Sequence, residues 1–486
     1  MRKKRNRQGR IMMKKIIYLL TVLFLLCGCS TVISINETEE DSSAYNLSFS
    51  EDDLDASYAV NGSTYIELGN EDIQITKAGT YILEGTMNDA SIIVNVSEDD
   101  KVQLVLNNVT ISSGDFAGIY IIEADEVTIT LADDSVNTIS DSGTYTLIDD
   151  NNVDALIYSK ADLVINGNGT LNLRSAYNHG IVSKDDLIIA GGIYSIDVAG
   201  QALSGKDCLK VSDGTFDISS GKDALKSDNS EDEGRGYVYI SGGSFTIDTL
   251  ADGIYGYSLV KIEGGDFTIA TSKSSSADSY KAVKSDTLIE ITGGSFAIDS
   301  ADDGLHSNGD ILISDGDLQI SSSDDGIHAD GMVQIDGGNI TVTAYEGIEG
   351  TYVRINEGTI SINAGDDGIN AGQKSNLYSP TVEINGGSLT IVMGQGDTDG
   401  IDSNGSIYIN GGTIDITAQS PFDYDQTAEH NGGTIIVNGE ETDTITNQFM
   451  GGMGGFGGQM PQGGGESGSW GGQAPEGDPF GHGHGH

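Results

Sequence analysis

The sequence predicts an all-β fold: a single-stranded parallel β-helix (solenoid) with coils of about 20–29 residues, flanked by a disordered tether and a disordered tail. Three observations predict it. Short alternating apolar runs flank Gly-Gly turns, as in Val238-Tyr239-Ile240, Gly242-Gly243 and Phe245-Thr246-Ile247. The second turn glycines recur from Gly169 through Gly192, Gly214, Gly243 and Gly265 to Gly433, about every 24 residues over eleven steps. No helical period interrupts these units, and a strand unit too small to bury its own apolar face must stack on the next. Composition agrees, with 68 Gly and only 5 Pro among 486 residues and 37% hydrophobic side chains.

In chain order, residues 1–28 read as an export signal. Basic residues precede an apolar run from Ile16 to Leu26, the pattern of a secretory signal peptide and too short for a spanning helix. Leu26-Cys27-Gly28-Cys29 resembles the bacterial lipobox, which implies lipidation of Cys29 and attachment to the extracellular face of the cell membrane through the lipid alone. Once residues 1–28 are removed, 16 basic side chains face 74 acidic ones, a net charge of −58. Such a surface repels nucleic acid and anionic lipid headgroups. Of three cysteines only Cys208 lies in the body, so packing, hydrogen bonds or metal must replace disulfides.

Residues 29–56 are polar and acidic and read as a flexible tether. Residues 57–445 carry the repeats. Residues 446–486 are Gly-rich, end in Gly-His-Gly-His-Gly-His and hold Trp470, the only tryptophan. Within each repeat the middle residue of the alternating triplets points to solvent. Two outward rows follow. One runs through Tyr239, Lys261, Arg354 and Tyr408; the other runs through Thr246, Thr268, Thr341 and Thr390 and makes a flat hydroxyl strip. Each row reads either as a ligand-binding face or as an ordinary β-favouring solvent face.

After the second strand most repeats place an acid before a small residue and an apolar anchor. Asp252, Asp302, Asp303, Asp324, Asp325, Glu346, Asp366, Asp367 and Asp399 therefore stack into a ladder, broken where Lys281 takes the position. Two charges about 4.8 Å apart repel by roughly 3.5 kcal/mol at an effective dielectric of 20. Solvation, protonation or a bound cation relieves this, and hard oxygens at turns suit Ca²⁺. His306 and His328 occupy equivalent positions and stack beside the ladder, either as surface histidines or as a two-histidine metal site.

The stretch Ile75-Thr76-Lys77-Ala78-Gly79-Thr80-Tyr81, continued by Val102-Gln103-Leu104-Val105-Leu106, Ala117-Gly118-Ile119-Tyr120, Val127-Thr128-Ile129-Thr130-Leu131-Ala132 and Ser135-Val136-Asn137-Thr138, resembles a family of bacterial cell-surface lipoproteins. These are carbohydrate-binding parallel β-helix proteins related in fold to pectate lyases. The resemblance covers about residues 60–440 and implies binding of pectate- or cellulose-like chains, with calcium on the coil aspartates and no established lyase activity. The reading that follows is a monomeric, non-catalytic polysaccharide binder using Ca²⁺. A surface rod without a sugar ligand and a pectate-lyase-like enzyme are the alternatives. A lyase needs a basic residue poised to take a proton, and after Cys29 the only arginines are Arg174, Arg235 and Arg354.

Overall fold

The computed structural model describes residues 44–273, 279–394 and 398–447. The signal segment, Cys29 and the Gly/His tail lie outside the described residues. The chain divides into two units, Met1–Ala44 and Tyr45–His486, and the described residues after Ala44 belong to the second. Among its described residues the regular structure is strand, apart from one four-residue helix, Glu51–Leu54. Among the described residues no helix is long and apolar enough to cross a membrane.

Apart from the antiparallel pair Thr434–Val437 and Glu440–Thr442, the strands pair in parallel with the equivalent strands of neighbouring repeats. Tyr239 pairs with Lys261, Thr246 with Thr268 and Leu305 with Ile327, so three strand files run along the body. The first two files are the alternating runs around each Gly-Gly turn. The third is built on the short apolar anchors, such as Ile254–Gly256 and Leu305–Ser307.

The expectation of a single-stranded parallel β-helix (solenoid) with coils of about 20–29 residues is corrected by this pairing. Six strands, Lys101–Ser112, Glu126–Leu131, Asp162–Gly167, Asp186–Val198, Thr170–Ser175 and Val136–Ser140, hydrogen-bond in a closed ring. The architecture is a closed six-stranded parallel barrel with 35 further strands. Two long strands cause the closure. Lys101–Ser112 and Asp186–Val198 run unbroken around a corner, the second through Gly191-Gly192, and each pairs with two strands of a neighbouring repeat. A glycine pair in sequence does not distinguish a turn that ends a strand from a bend within one. The step is also uneven, from Ile327↔Ile348 to the much longer Ile119↔Ile157.

The core is a column of stacked identical positions. Tyr194, Phe216, Phe245, Phe267 and Phe296 are almost fully buried, with consecutive ring centroids 4.6–4.8 Å apart and near-parallel planes. The turn glycines belong to the same packing. Gly265 has φ +115°, and a Cβ there would lie 3.0 Å from the Gly243 carbonyl oxygen.

The last part of the expected tether, from Tyr45 on, is the other correction. From Tyr45 the chain lies on the body: Tyr45, Leu47 and Phe49 pack against Cys208, Tyr237, Tyr239, Leu259 and Leu288. The Tyr237 hydroxyl donates to the Asn46 carbonyl at 2.9 Å, and Lys210 Nζ donates to the Ser48 carbonyl at 2.7 Å. The helix that follows is closed by a Ser50/Asp53 capping box, which satisfies its first backbone donors. Acidic composition masks an alternation of apolar residues at every second position from Tyr45 to Phe49, enough to bury one face.

Candidate functional site

The third strand file and the turn before it carry the ionisable groups. The turns stack by backbone hydrogen bonds: Gly304 N–H donates to the Asp325 carbonyl, Gly326 N–H to Glu346 and Gly347 N–H to Asp367, each at 2.9 Å. This sets Asp303, Asp325, Glu346 and Asp367 in one ladder. Asp223 and Asp252 precede Lys281 in the same file, and Asp399, in register with Asp367, continues it. Asp302, Asp324 and Asp366 stand one residue earlier, beside the ladder. A neighbouring file on the strands runs Lys226, Tyr255, Lys284, His306, His328, Glu349, Asn370 and Asp402.

These two files split the ladder electrostatically. Its earlier half is neutralised within the protein. Lys226 pairs with Asp223 at 2.9 Å, Lys284 with Asp252 at 3.7 Å, and Lys281 with Asp302 at 2.8 Å and Asp303 at 3.1 Å. His306 Nδ1 lies 2.7 Å from Asp303, and the His306 and His328 rings stack 4.7 Å apart. Burial opposes ionisation of Asp303, yet its His306 hydrogen bond and the Lys281 charge hold it well below the usual carboxylate range.

His328 Nδ1 lies 2.7 Å from both Asp325 and Glu349. Burial disfavours its charge, but the hydrogen bonds to Asp325, Asp330 and Glu349 prevail and raise its pKa to about 12. Glu349, against the same burial, falls to about 2 through His328 and Lys374. As an imidazolium His328 neutralises both carboxylates; without its proton, the same ring completes a group with Asp325 and Glu349, as His306 and His328 do with Asp303, whose ligand atoms lie within 4.8 Å of one another.

Beyond His328 cations thin out. Glu346 is raised to about 8 by burial and by Glu349 and Asp325, against one hydrogen bond from Asn370 at 3.1 Å. Asp367 is raised to about 7 by burial, Asp402 and Asp366, and Asp402 to about 6 by burial, Asp423 and Asp399. Single carboxylate oxygens of Glu346, Asp366 and Asp367 lie within 4.8 Å of one another. Next to Asp399, the Thr398 hydroxyl is buried without a partner. A second acidic trio, Asp302, Asp303 and Asp324, is equally close, but Lys281 already reaches two of its members.

The outward row of Tyr239, Lys261, Arg354 and Tyr408 is continuous in register but not in exposure. Tyr239 is buried beneath Phe49, whose ring stacks on it at 5.6 Å. Lys261 is paired with Glu290 at 2.8 Å, and Arg354 with Glu383 at 3.3 Å while lying over the Tyr352 ring. Tyr408 is half-buried. The Thr246 row is different: Thr246, Thr268, Ala297, Gln319, Thr341, Ser361 and Thr390 are consecutive register partners, and all are exposed. Sequence reasoning missed Glu349 and the pair Lys226 and Lys284 on either side of Tyr255. The signal for both was a charged or aromatic residue one position after each apolar anchor.

A family model described as carbohydrate-binding domain-containing protein matches residues 69–326 and 321–448. A carbohydrate-binding domain-containing protein of Acetivibrio thermocellus is 39% identical over 129 residues, which are 26% of this chain and 45% of that protein. The chain thus matches less than half of that relative's length. A solved structure described as the polysaccharide lyase-like protein from C. thermocellum, in a gadolinium derivative, is 31% identical. The likeness covers 48% of this chain and 96% of that one, with a TM-score of 0.42.

Proposed function

The chain belongs to the family of carbohydrate-binding domain-containing proteins, and from that premise we propose that it is a non-catalytic polysaccharide binder held at the cell surface by lipid on Cys29. The observation that carries the reading is the exposed Thr246–Thr390 row. Polar side chains, interrupted at Ala297, repeat there at the strand spacing of about 4.8 Å along one open face. A polar strip of that kind fits an extended chain of hydroxylated units, with every rung but Ala297 offering a hydrogen-bonding side chain to successive sugars.

Calcium fits the later half of the ladder. Glu346, Asp366 and Asp367 supply hard oxygens close together, their mutual repulsion is not cancelled by ion pairs as in the earlier half, and the buried Thr398 hydroxyl lacks a partner nearby. When bound, the ion would cancel that repulsion and attract uronate carboxylates that the protein's charge otherwise repels, which favours a pectic ligand. Neither Lys226 nor Lys281 is prepared as the base of a lyase. Burial works against the charge of Lys226 and Lys281, but Asp223 and Asp303 outweigh it and hold both pKa values above the ordinary lysine value. A proton-abstracting base needs the opposite shift.

The test is calorimetric titration of the full chain with polygalacturonate and with cello-oligosaccharides, in calcium and in chelator, alongside the double variant Thr268→Glu/Thr341→Glu. Binding to polygalacturonate is expected only in calcium, at least tenfold weaker in the double variant, with an unchanged unfolding midpoint. Equal binding by the variant would remove the strip from recognition, and equal binding in chelator would remove the ion.

A further inference from the structure

Residues 45–58 lie lengthwise on the outer face of the first strand file. Tyr45, Leu47 and Phe49 cover Cys208, Tyr237, Tyr239, Leu259 and Leu288, and at the other end Tyr58 packs on Ile82, Val105 and Ala132. Beneath the segment runs one continuous register row of Gln103, Thr128, Val164, Ile188, Lys210 and Tyr239. The segment carries four acids, Glu51, Asp52, Asp53 and Asp55, and no base. Of its residues only Asp53 is buried; the others are half-buried or exposed.

Two features mark this face as one that binds a chain. Among the described residues, all hydrogen bonds between segment and body run from a body side chain to a segment carbonyl. The Tyr237 hydroxyl donates to Asn46 at 2.9 Å and Lys210 Nζ to Ser48 at 2.7 Å. Asn166 Nδ2 donates to Asp53 at 3.2 Å and to Asp55 at 3.1 Å, and Gln103 Nε2 to Ser57 at 3.2 Å. The body therefore reads a row of acceptor oxygens rather than a set of side chains, and another polymer with oxygens along the same line satisfies the same donors. The second feature is Lys210. It is 2% exposed and forms no ion pair among the described residues. Its ammonium meets the Ser48 carbonyl and lies 5.3 Å from the centre of the Phe49 ring. A buried ammonium normally faces a carboxylate; these two partners belong to the segment and leave with it.

We propose that residues 45–58 are the internal occupant of a second binding face, which opens when the segment lifts and then takes an extended acidic polysaccharide, with a uronate carboxylate on Lys210 and a sugar ring on Tyr239. This rests on the polysaccharide reading above, but not on the Thr246 row or on calcium at the ladder. The segment imitates such a ligand: it is acidic, it sets an oxygen at the Lys210 ammonium, and its Phe49 ring stacks on Tyr239 with centroids 5.6 Å apart and planes at 26°. The Tyr239 hydroxyl is held by Glu263 at 2.7 Å, which fixes the platform. Neighbouring Lys261 is committed to Glu290 at 2.8 Å, so Lys210 is the charge contact. Lifting the segment also takes four negative charges off the face. Only the open fraction of molecules binds, so the segment lowers the apparent affinity by that fraction.

The experiment uses the full chain with oligogalacturonate, and cello-oligosaccharide as the neutral control. Cys208, fully buried beneath the segment, is the reporter: maleimide labelling in chelator is mapped to it by mass spectrometry. Leu47→Ala/Phe49→Ala should label at least tenfold faster than the wild type, and oligogalacturonate, but not cello-oligosaccharide, should slow that labelling at least fivefold. In chelator this variant should bind oligogalacturonate at least tenfold more tightly than the wild type. Adding Lys210→Gln should remove the gain while labelling without ligand stays fast. In the wild type, in calcium, excess oligogalacturonate should raise thermolysin cleavage before Ser57 at least threefold, a readout that needs no variant. Labelling no faster in Leu47→Ala/Phe49→Ala, fast labelling that oligogalacturonate leaves unchanged, equal protection by cello-oligosaccharide, or wild-type cleavage indifferent to the ligand each overturns the proposal. With calcium-dependent binding intact, those outcomes leave the Thr246 row standing. Protection of Cys208 together with equal binding by Thr268→Glu/Thr341→Glu instead removes the row and keeps this face.

Discussion

Replacing Glu346 by Gln should stabilise the calcium-free protein at alkaline pH and weaken its response to calcium. The Glu346 carboxyl titrates near 4.5 in the unfolded chain and at about 8 in the fold. The folded state binds this proton more tightly, so the group costs nothing below pH 4.5, becomes destabilising as pH rises from 4.5 to 8, and costs a constant amount above that. The full difference between 4.5 and about 8 corresponds to about 5 kcal/mol. Glu346 is only half-buried, and solvent screening brings the expectation to about 2 kcal/mol. His328, with its pKa at about 12, adds a slope of the same sign above pH 6.5, so the wild-type profile alone does not isolate Glu346. The difference between wild type and Glu346→Gln does. Denaturant unfolding in chelator should give equal stabilities near pH 4.5 and a variant about 2 kcal/mol more stable at pH 8.5. In calcium at 100 times its dissociation constant the wild type should gain about 2.7 kcal/mol. The variant, binding tenfold more weakly, should gain about 1.4 kcal/mol less. A variant less stable than wild type in chelator at pH 8.5 would refute the reasoning about repulsion, and an unchanged calcium gain would refute the metal.

Three further outcomes are expected. Phe245→Ala leaves a cavity between Phe216 and Phe267, whose rings lie 4.6 and 4.8 Å away; it should cost about 3–5 kcal/mol in denaturant unfolding, and a loss below 1 kcal/mol would mean the column is not the core. Gly265→Ala, at φ +115° and against the Gly243 carbonyl, should cost about 1–3 kcal/mol, whereas Gly439→Ala, with nothing within 4 Å of its added Cβ, should retain more stability in the same assay. Phe49→Ala removes the ring stacked on Tyr239 and should raise thermolysin cleavage before Ser57 at least fivefold by mass spectrometry; unchanged cleavage would show that Tyr45 and Leu47 hold the segment without it.

Much of the architecture was legible in the residues themselves. Alternating Val-x-Ile and Phe-x-Ile runs impose strands with one buried face, and glycines at a steady interval stack those strands in register. For that reason the all-β class, the acidic ladder, the stacking of His306 on His328 and the flat Thr246 row could all be read from spacing alone. What spacing does not carry is where a strand ends. Gly191-Gly192 looks like every other turn pair, yet the strand continues through it around a corner, and that continuity closes the six-stranded ring.

Nor does spacing say which charges meet. Lys226, Lys281, Lys284 and His328 lie at different points of their repeats, and only the packed turns bring them onto the earlier carboxylates while Glu346 and Asp367 are left to repel one another. The same holds for Tyr239, an outward residue by its position that the Tyr45–Phe49 segment covers. The sequence by itself determined the periodic features, because a repeated local pattern needs no distant partner. The barrel closure, the division of the ladder and the burial of Tyr239 were decided by the tertiary structure, because each depends on groups that are remote in the chain and meet only when the strands pack.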